Sequence, residues 1–255
     1  MALPLPAQVG LGLTPMRLEF PAVSDKSYSG TLMLNNSAAN RVRVRTELLD
    51  FFVDENQTPQ FLPDAASEAQ YSCRKWVSVN PMEAEVEPRS QLPVRYTVRV
   101  PAGAKEQSYH CAIGFISMPT KEDMEGIGVR TAVRVVSVLY PIVGQPAPHG
   151  EILGLLLEPV AAGARTQWRG VLVMGNSGQK LYRPQGQVVV EDAAGKVLET
   201  QDIASFPVLP RRKQRFLLPL KKELVPGRYT IRARVDVGKE IQEASAEVST
   251  EAPKP

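Results

Sequence analysis

Apolar and polar residues alternate with a period of two over much of the chain. Val42-Arg43-Val44-Arg45-Thr46-Glu47-Leu48, Val94-Arg95-Tyr96-Thr97-Val98-Arg99-Val100 and Tyr229-Thr230-Ile231-Arg232-Ala233-Arg234-Val235 are the clearest runs. Successive side chains of an extended strand point to opposite faces. This spacing therefore predicts sheets with one buried and one solvated face, with arginines on the wet beats. Shorter runs of the same kind occupy 31–34, 187–190 and 215–218, and a longer one covers 129–140. Turn-forming residues punctuate them: Asn35-Asn36-Ser37, Pro101-Ala102-Gly103, Asn176-Ser177-Gly178, Asp192-Ala193-Ala194-Gly195 and Pro226-Gly227. No long segment carries an apolar stripe at the 3.6-residue helical spacing. Short strands at such intervals predict an all-β chain of antiparallel sandwiches.

The pattern repeats once. Gly30-Thr-Leu-Met-Leu-Asn-Asn36-Ser37 is answered by Gly170-Val-Leu-Val-Met-Gly-Asn176-Ser177, and Glu87-Pro88-Arg89 by Leu209-Pro210-Arg211. In each half a tyrosine follows, Tyr109 and then Tyr229. Equal order and spacing predict two tandem immunoglobulin-like antiparallel β-sandwich domains, each large enough for its own core. The candidate boundary is the proline- and glycine-rich segment from Pro141 to Gly150. It places the first sandwich at 1–144, a stiff linker at 145–150 and the second sandwich at 151–250. A charged, proline-containing tail, 251–255, is expected to fray.

Composition narrows the function. The 255 residues include 22 prolines and 18 glycines, 30 basic and 27 acidic side chains, for a formal charge of +3. So balanced a chain offers no electrostatic footprint for nucleic acid. The one basic run, Arg211-Arg212-Lys213-Gln214-Arg215, reads as a solvated turn. No stretch reaches the ~18 apolar residues of a membrane span. With two histidines and two cysteines, little material exists for a metal or catalytic site, so neither enzyme activity nor a cofactor is expected. His110 and His149 are expected at the surface or half-buried. Cys73 and Cys111 have no metal-ligand spacing and are either a structural disulfide or two buried thiols. The disulfide is the reading adopted, because an even pair in an all-β domain is usual for exported proteins. The start, Met1-Ala-Leu-Pro-Leu-Pro, has neither a basic region nor an uninterrupted apolar core, and reads as a mature exported chain with an initiator methionine.

The first half carries a resemblance. Thr14-Pro15-Met16-Arg17-Leu18-Glu19-Phe20 is followed by Tyr28-Ser29-Gly30 and its strand, by Trp76-Val77-Ser78-Val79-Asn80-Pro81, by the 94–100 strand and by Ala112-Ile113-Gly114-Phe115-Ile116. This order resembles the N-terminal immunoglobulin-like domain of PapD-like periplasmic pilus chaperones, and it extends through Gly144. In that family an arginine early in the first strand and a lysine on the domain's last strand hold the C-terminal carboxylate of a pilus subunit. The last strand also lends alternating apolar side chains to the subunit's incomplete sandwich.

Arg17 matches the arginine. The lysine is missing: its place falls at or near Ser137, with Arg134 as the closest cation. Ile127, Val129, Val133 and Val135 match the alternating row. The resemblance implies a periplasmic or otherwise exported chaperone that binds pilus or other surface-structure subunits by β-strand addition and delivers them to an outer-membrane assembly protein. The alternative is a structural or adhesive envelope protein built of tandem immunoglobulin-like modules without chaperone activity.

Overall fold

The computed structural model describes residues 10–54, 56–118, 132–162 and 165–250. Strands dominate it, with two 3-10 turns at Ala66–Glu68 and Arg74–Trp76. The chain divides into two compact units, Met1–Phe51 with Phe61–Gln145, and Phe52–Gln60 with Pro146–Pro255.

In the first unit, β1 (Leu11–Thr14), β3 (Ser27–Asn36), β8 (Ser90–Arg99) and β6 (Val77–Asn80) form one sheet in the order β1-β3-β8-β6. The other sheet has the order β2-β10-β9-β4-β5, from β2 (Arg17–Ala22), β10 (Arg134–Val143), β9 (Cys111–Met118), β4 (Val42–Val53) and β5 (Pro59–Leu62). A short β7 (Glu83–Val86) also pairs with β4. β2 pairs with β10 in parallel, whereas β1–β3, β3–β8, β6–β8, β9–β10, β4–β9 and β4–β7 are antiparallel. The inward beats of the alternating runs meet between the sheets. Leu32, Leu34, Val94, Val98, Ile113, Phe115 and Leu139 are fully buried there. Each such side chain contributes ~1.5–3 kcal/mol by leaving water. Cys73, just before the second 3-10 turn, is bonded to Cys111 at the start of β9, with Cα atoms 5.2 Å apart. The two cysteines are therefore a disulfide.

The second unit opposes a three-stranded sheet to a four-stranded one. The first has the order β11-β12-β15, from β11 (Gly150–Ala162), β12 (Arg165–Asn176) and β15 (Lys213–Pro219). The second has the order β14-β13-β16-β17, from β14 (Val197–Asp202), β13 (Gln185–Asp192), β16 (Arg228–Asp236) and β17 (Ile241–Ser249). Leu172, Met174, Phe216, Ile231 and Val235 centre its core.

The internal repeat extends to individual hydrogen bonds. Asn36 donates through Nδ2 to the carbonyls of Asn40 and Val86 at 2.8 and 3.0 Å, and its Oδ1 accepts the Ala38 N–H at 3.0 Å. Asn176 does the same with Lys180 and Val208 at 2.8 and 3.0 Å and with Gly178 at 3.0 Å. A buried asparagine with so many partners closes the turn in both units, because each main-chain group it satisfies would otherwise be buried unpaired. Arg89 and Arg211, after the matching prolines, both adopt left-handed backbone (φ 54° and 60°). Their N–H groups donate to Ala38 and Asn176. The Tyr109 and Tyr229 hydroxyls each donate to the carbonyl four residues upstream, that of Lys105 at 3.2 Å and of Val225 at 2.6 Å. Such a tyrosine corner is a mark of immunoglobulin-like sandwiches, and here both units have it.

Two sequence expectations shift. β10 continues through Pro141-Ile142-Val143, leaving only 144–149 outside strands between it and β11. Pro141 is tolerated because its carbonyl still serves the ladder, accepting the Tyr109 N–H at 2.9 Å. His110 is not at the surface: its side chain is only 1% exposed.

Candidate functional site

The site is an incomplete strand edge. On one side β10 pairs with β9, from Arg134↔Ile116 to Leu139↔Cys111. On the other it pairs with β2, but only from Val138↔Arg17 onward. Upstream of Val138 no described strand lies along that edge. Which main-chain groups face it follows from the ladder. The Ser117 N–H donates to Val133 O at 2.9 Å, so Val133, Val135 and Ser137 direct their main-chain groups toward β9. The Val138 N–H donates to Met16 O at 3.0 Å, on the β2 side. Arg134 and Val136 lie in phase with Val138 and therefore direct their N–H and C=O groups to the side on which no described strand pairs.

Side chains finish the description. Val133 and Val135 point inward, pack against the core and remain only partly buried, as an edge with no neighbour would leave them. Ser137, at the expected lysine place, is fully buried, and its hydroxyl donates to Pro15 O at 2.8 Å. It fastens the turn between β1 and β2 and supplies no charge. Arg134 points to solvent and pairs with Glu47 at 3.0 Å, a carboxylate that Arg45 also contacts at 3.3 Å. Its charge is thus engaged across the sheet. Arg17 is the residue opposite Val138, where the covered edge gives way to the open one. It is exposed and has no ion pair among the described residues. Ile127 and Val129, the first two members of the expected apolar row, lie outside the described residues. Of the expected row, the structure therefore brings Val133, Val135 and Arg17 to one edge, and it ties Arg134 to Glu47.

The geometry can hold a strand, and it can choose the strand's direction. A segment beside Arg134–Val136 would finish next to Met16 and Arg17. Running parallel to β10, as β2 does, it brings its C-terminal end to the Arg17 guanidinium; running antiparallel, it brings its amino end. A cation accepts the carboxylate and repels the ammonium, so charge favours the parallel arrangement.

A second polar constellation escaped the sequence reading. Beneath the 64–76 segment, Asp50 is buried on β4, accepting the Ala65 N–H at 3.0 Å, the Arg74 Nε–H at 3.2 Å and the Ser72 hydroxyl. Next to it His110 Nε2 lies 3.0 Å from Glu68 Oε2, both side chains being 1% exposed. Phe51 meets the imidazole edge-on and Tyr71 stacks over it. Burial pushes the imidazole down to about 4, against a smaller opposing pull from the Asp50 charge, so at neutral pH it is uncharged and the Glu68 contact is a hydrogen bond. The available signal was Asp50 itself, a lone acid within Leu48-Leu49-Asp50-Phe51-Phe52. Among the described residues no group of three or more His, Cys, Asp or Glu side chains could hold a metal ion.

No protein-family model matches the chain, and no curated protein matches it by sequence. Solved structures do. The YadV chaperone is similar at 12% identity and TM-score 0.46, over 93% of this chain and 99% of that one. The CsuC–CsuE chaperone–tip adhesion subunit complex of Acinetobacter baumannii is similar at 12% identity and TM-score 0.46, over 93% and 97%. The Pseudomonas aeruginosa CupB2 chaperone is similar at 15% identity and TM-score 0.44, over 93% and 98%. YadV and CupB2 are described as chaperones, and CsuC–CsuE as a chaperone–tip adhesion subunit complex of Csu pili.

Proposed function

We propose that the first sandwich binds the C-terminal strand of a partner polypeptide by parallel addition to β10, as a periplasmic or otherwise exported chaperone for subunits of a pilus or another surface structure. The observation that carries this reading is the half-covered β10 edge with Arg17 at its closed end. Edge strands are ordinarily shielded because they template aggregation. An edge left open beside two half-buried valines is suited to a strand that supplies the missing main-chain partners and apolar side chains. The disulfide supports an oxidising compartment. The role is binding rather than catalysis.

The test uses a peptide of alternating valine and threonine with a free C-terminal carboxylate, and its amidated twin. Wild type should bind the carboxylate form about tenfold more tightly. Arg17→Ala should remove that preference, a loss of ~1–2 kcal/mol, because Arg17 is exposed and its pairing is screened. Val136→Pro deletes an outward N–H and crowds the edge, and should abolish binding of both peptides while leaving the β9 ladder intact. Equal binding by wild type and Val136→Pro, measured by fluorescence anisotropy, would leave the structural-module reading in its place.

A further inference from the structure

The second sandwich has four sheet-edge strands, and three of them carry the usual obstacles to pairing. β11 has a register shift between Ile152 and Gly154, and Pro159 within it. β14 pairs across a register shift at Val190/Glu191. β15 begins with Lys213 and ends with Pro219. β17 is different. It has nine residues, no proline and no lysine, and it pairs with β16 from Asp236↔Ile241 to Arg228↔Ser249 without a shift. Among the described residues no strand pairs with its other edge, and only its start is tied to β11, where Gln242 Oε1 accepts the Ile152 N–H at 3.0 Å.

Bonded pairs beyond each end set the phase of its main chain. The Val237 N–H donates to Glu240 O at 2.9 Å, and the Thr250 N–H to Gly227 O at 3.0 Å. Gln242, Ala244, Ala246 and Val248 therefore direct their N–H and C=O groups to β16, and Glu243, Ser245 and Glu247 direct theirs outward. These three residues present six main-chain groups along about 13 Å of edge. The inward side chains there are small. Ala246 and Val248 pack on the core and stay partly buried, as do Ile152, Leu155 and Leu157 of β11 on the same core.

The exposed charges on β17 are both acidic, Glu243 and Glu247, and they stand on one face. Arg234 of β16 meets Glu243 at 3.1 Å, and Glu247 has no ion pair among the described residues. In an antiparallel pairing of β17 with a second copy centred on Ser245, Glu243 of one chain would face Glu247 of the other, and like charges directly opposite destabilise a ladder. The same acids attract a cationic neighbour.

We propose that β17 is a second strand-docking edge, and that its occupant is an extended segment with apolar residues on one face and lysine or arginine on the other. The apolar face lies against Ala246, Val248 and the half-buried leucines of β11, and the basic face against Glu247 and Glu243. This stands on the second unit alone and does not depend on β10.

The probe is a nine-residue peptide of alternating valine and lysine, acetylated and amidated so that it offers no carboxylate to Arg17, with a valine–glutamate peptide as control. The valine–lysine peptide should slow amide exchange at Glu243, Ser245 and Glu247 and bind at least tenfold more tightly than the control. Glu243→Lys/Glu247→Lys should reverse the preference. Ser245→Pro, which removes an outward N–H without touching the β16 ladder, should abolish binding, and Val136→Pro should leave it unchanged. No protection of those amides, equal binding of both peptides, or binding that survives Ser245→Pro would each overturn the proposal. So would a concentration-dependent dimer lost in Ser245→Pro, which would make the occupant a second copy.

Discussion

Replacing both cysteines, as Cys73→Ala/Cys111→Ala, should lower the stability of the first unit by about 4 kcal/mol and leave the second unit unchanged. The bond closes a loop of 38 residues. Constraining so long a loop in the unfolded chain is worth about 4 kcal/mol on the chain-entropy account. A loss of that size in a unit of this length lowers its melting temperature by roughly 10 °C. The position of the bond adds a local consequence. Cys73 anchors the end of the 64–76 segment, whose Glu68 and Tyr71 close over His110. Amides of that segment should exchange faster in the double mutant before the rest of the sandwich does. Calorimetry should show two transitions with only one displaced, and an unshifted pair would mean that the loop is held by packing alone.

The second large effect is acid destabilisation through His110. The group is neutral in the folded protein down to about pH 4, whereas in the unfolded chain it takes a proton near its ordinary 6.5. Above 6.5 both states are neutral and the group has no effect. As pH falls from 6.5 to 4 the unfolded state binds a proton that the folded state refuses, so stability falls; below 4 the deficit is complete. A difference of this width is worth about 3 kcal/mol. The groups facing the imidazole are Glu68 from the 3-10 turn, Asp50 and Phe51 from β4, and Tyr71. His110→Gln keeps an N–H for Glu68 but cannot titrate. Urea midpoints followed from pH 7 to 4 should therefore fall less steeply in His110→Gln than in wild type, by up to one proton's worth of slope. Parallel curves would show that His110 titrates normally and is not sealed.

The sequence by itself determined the strands, their wet and dry faces, the pairing of two similar sandwiches and the turn asparagines. All of these show in residues close together in the chain: period-two alternation dictates which face is buried, and Asn36 and Asn176 each satisfy a carbonyl and an N–H of their own turns, while their bonds to Val86 and Val208 come only with folding. It also singled out Arg17, Val133 and Val135 through a resemblance. Tertiary structure alone decided what those residues can do. Whether β10 has an open edge depends on where β2 begins to pair, 122 residues away in the Ser137–Pro15 contact, and alternation in β10 is the same with or without a neighbour. Arg134 read as a spare cation until Glu47 was brought across the sheet to meet it. His110 read as a surface or half-buried residue, and folding seals it beside the buried Asp50. Their cost is offset by Glu68, Ser72, Ala65 and Arg74, partners that only folding assembles.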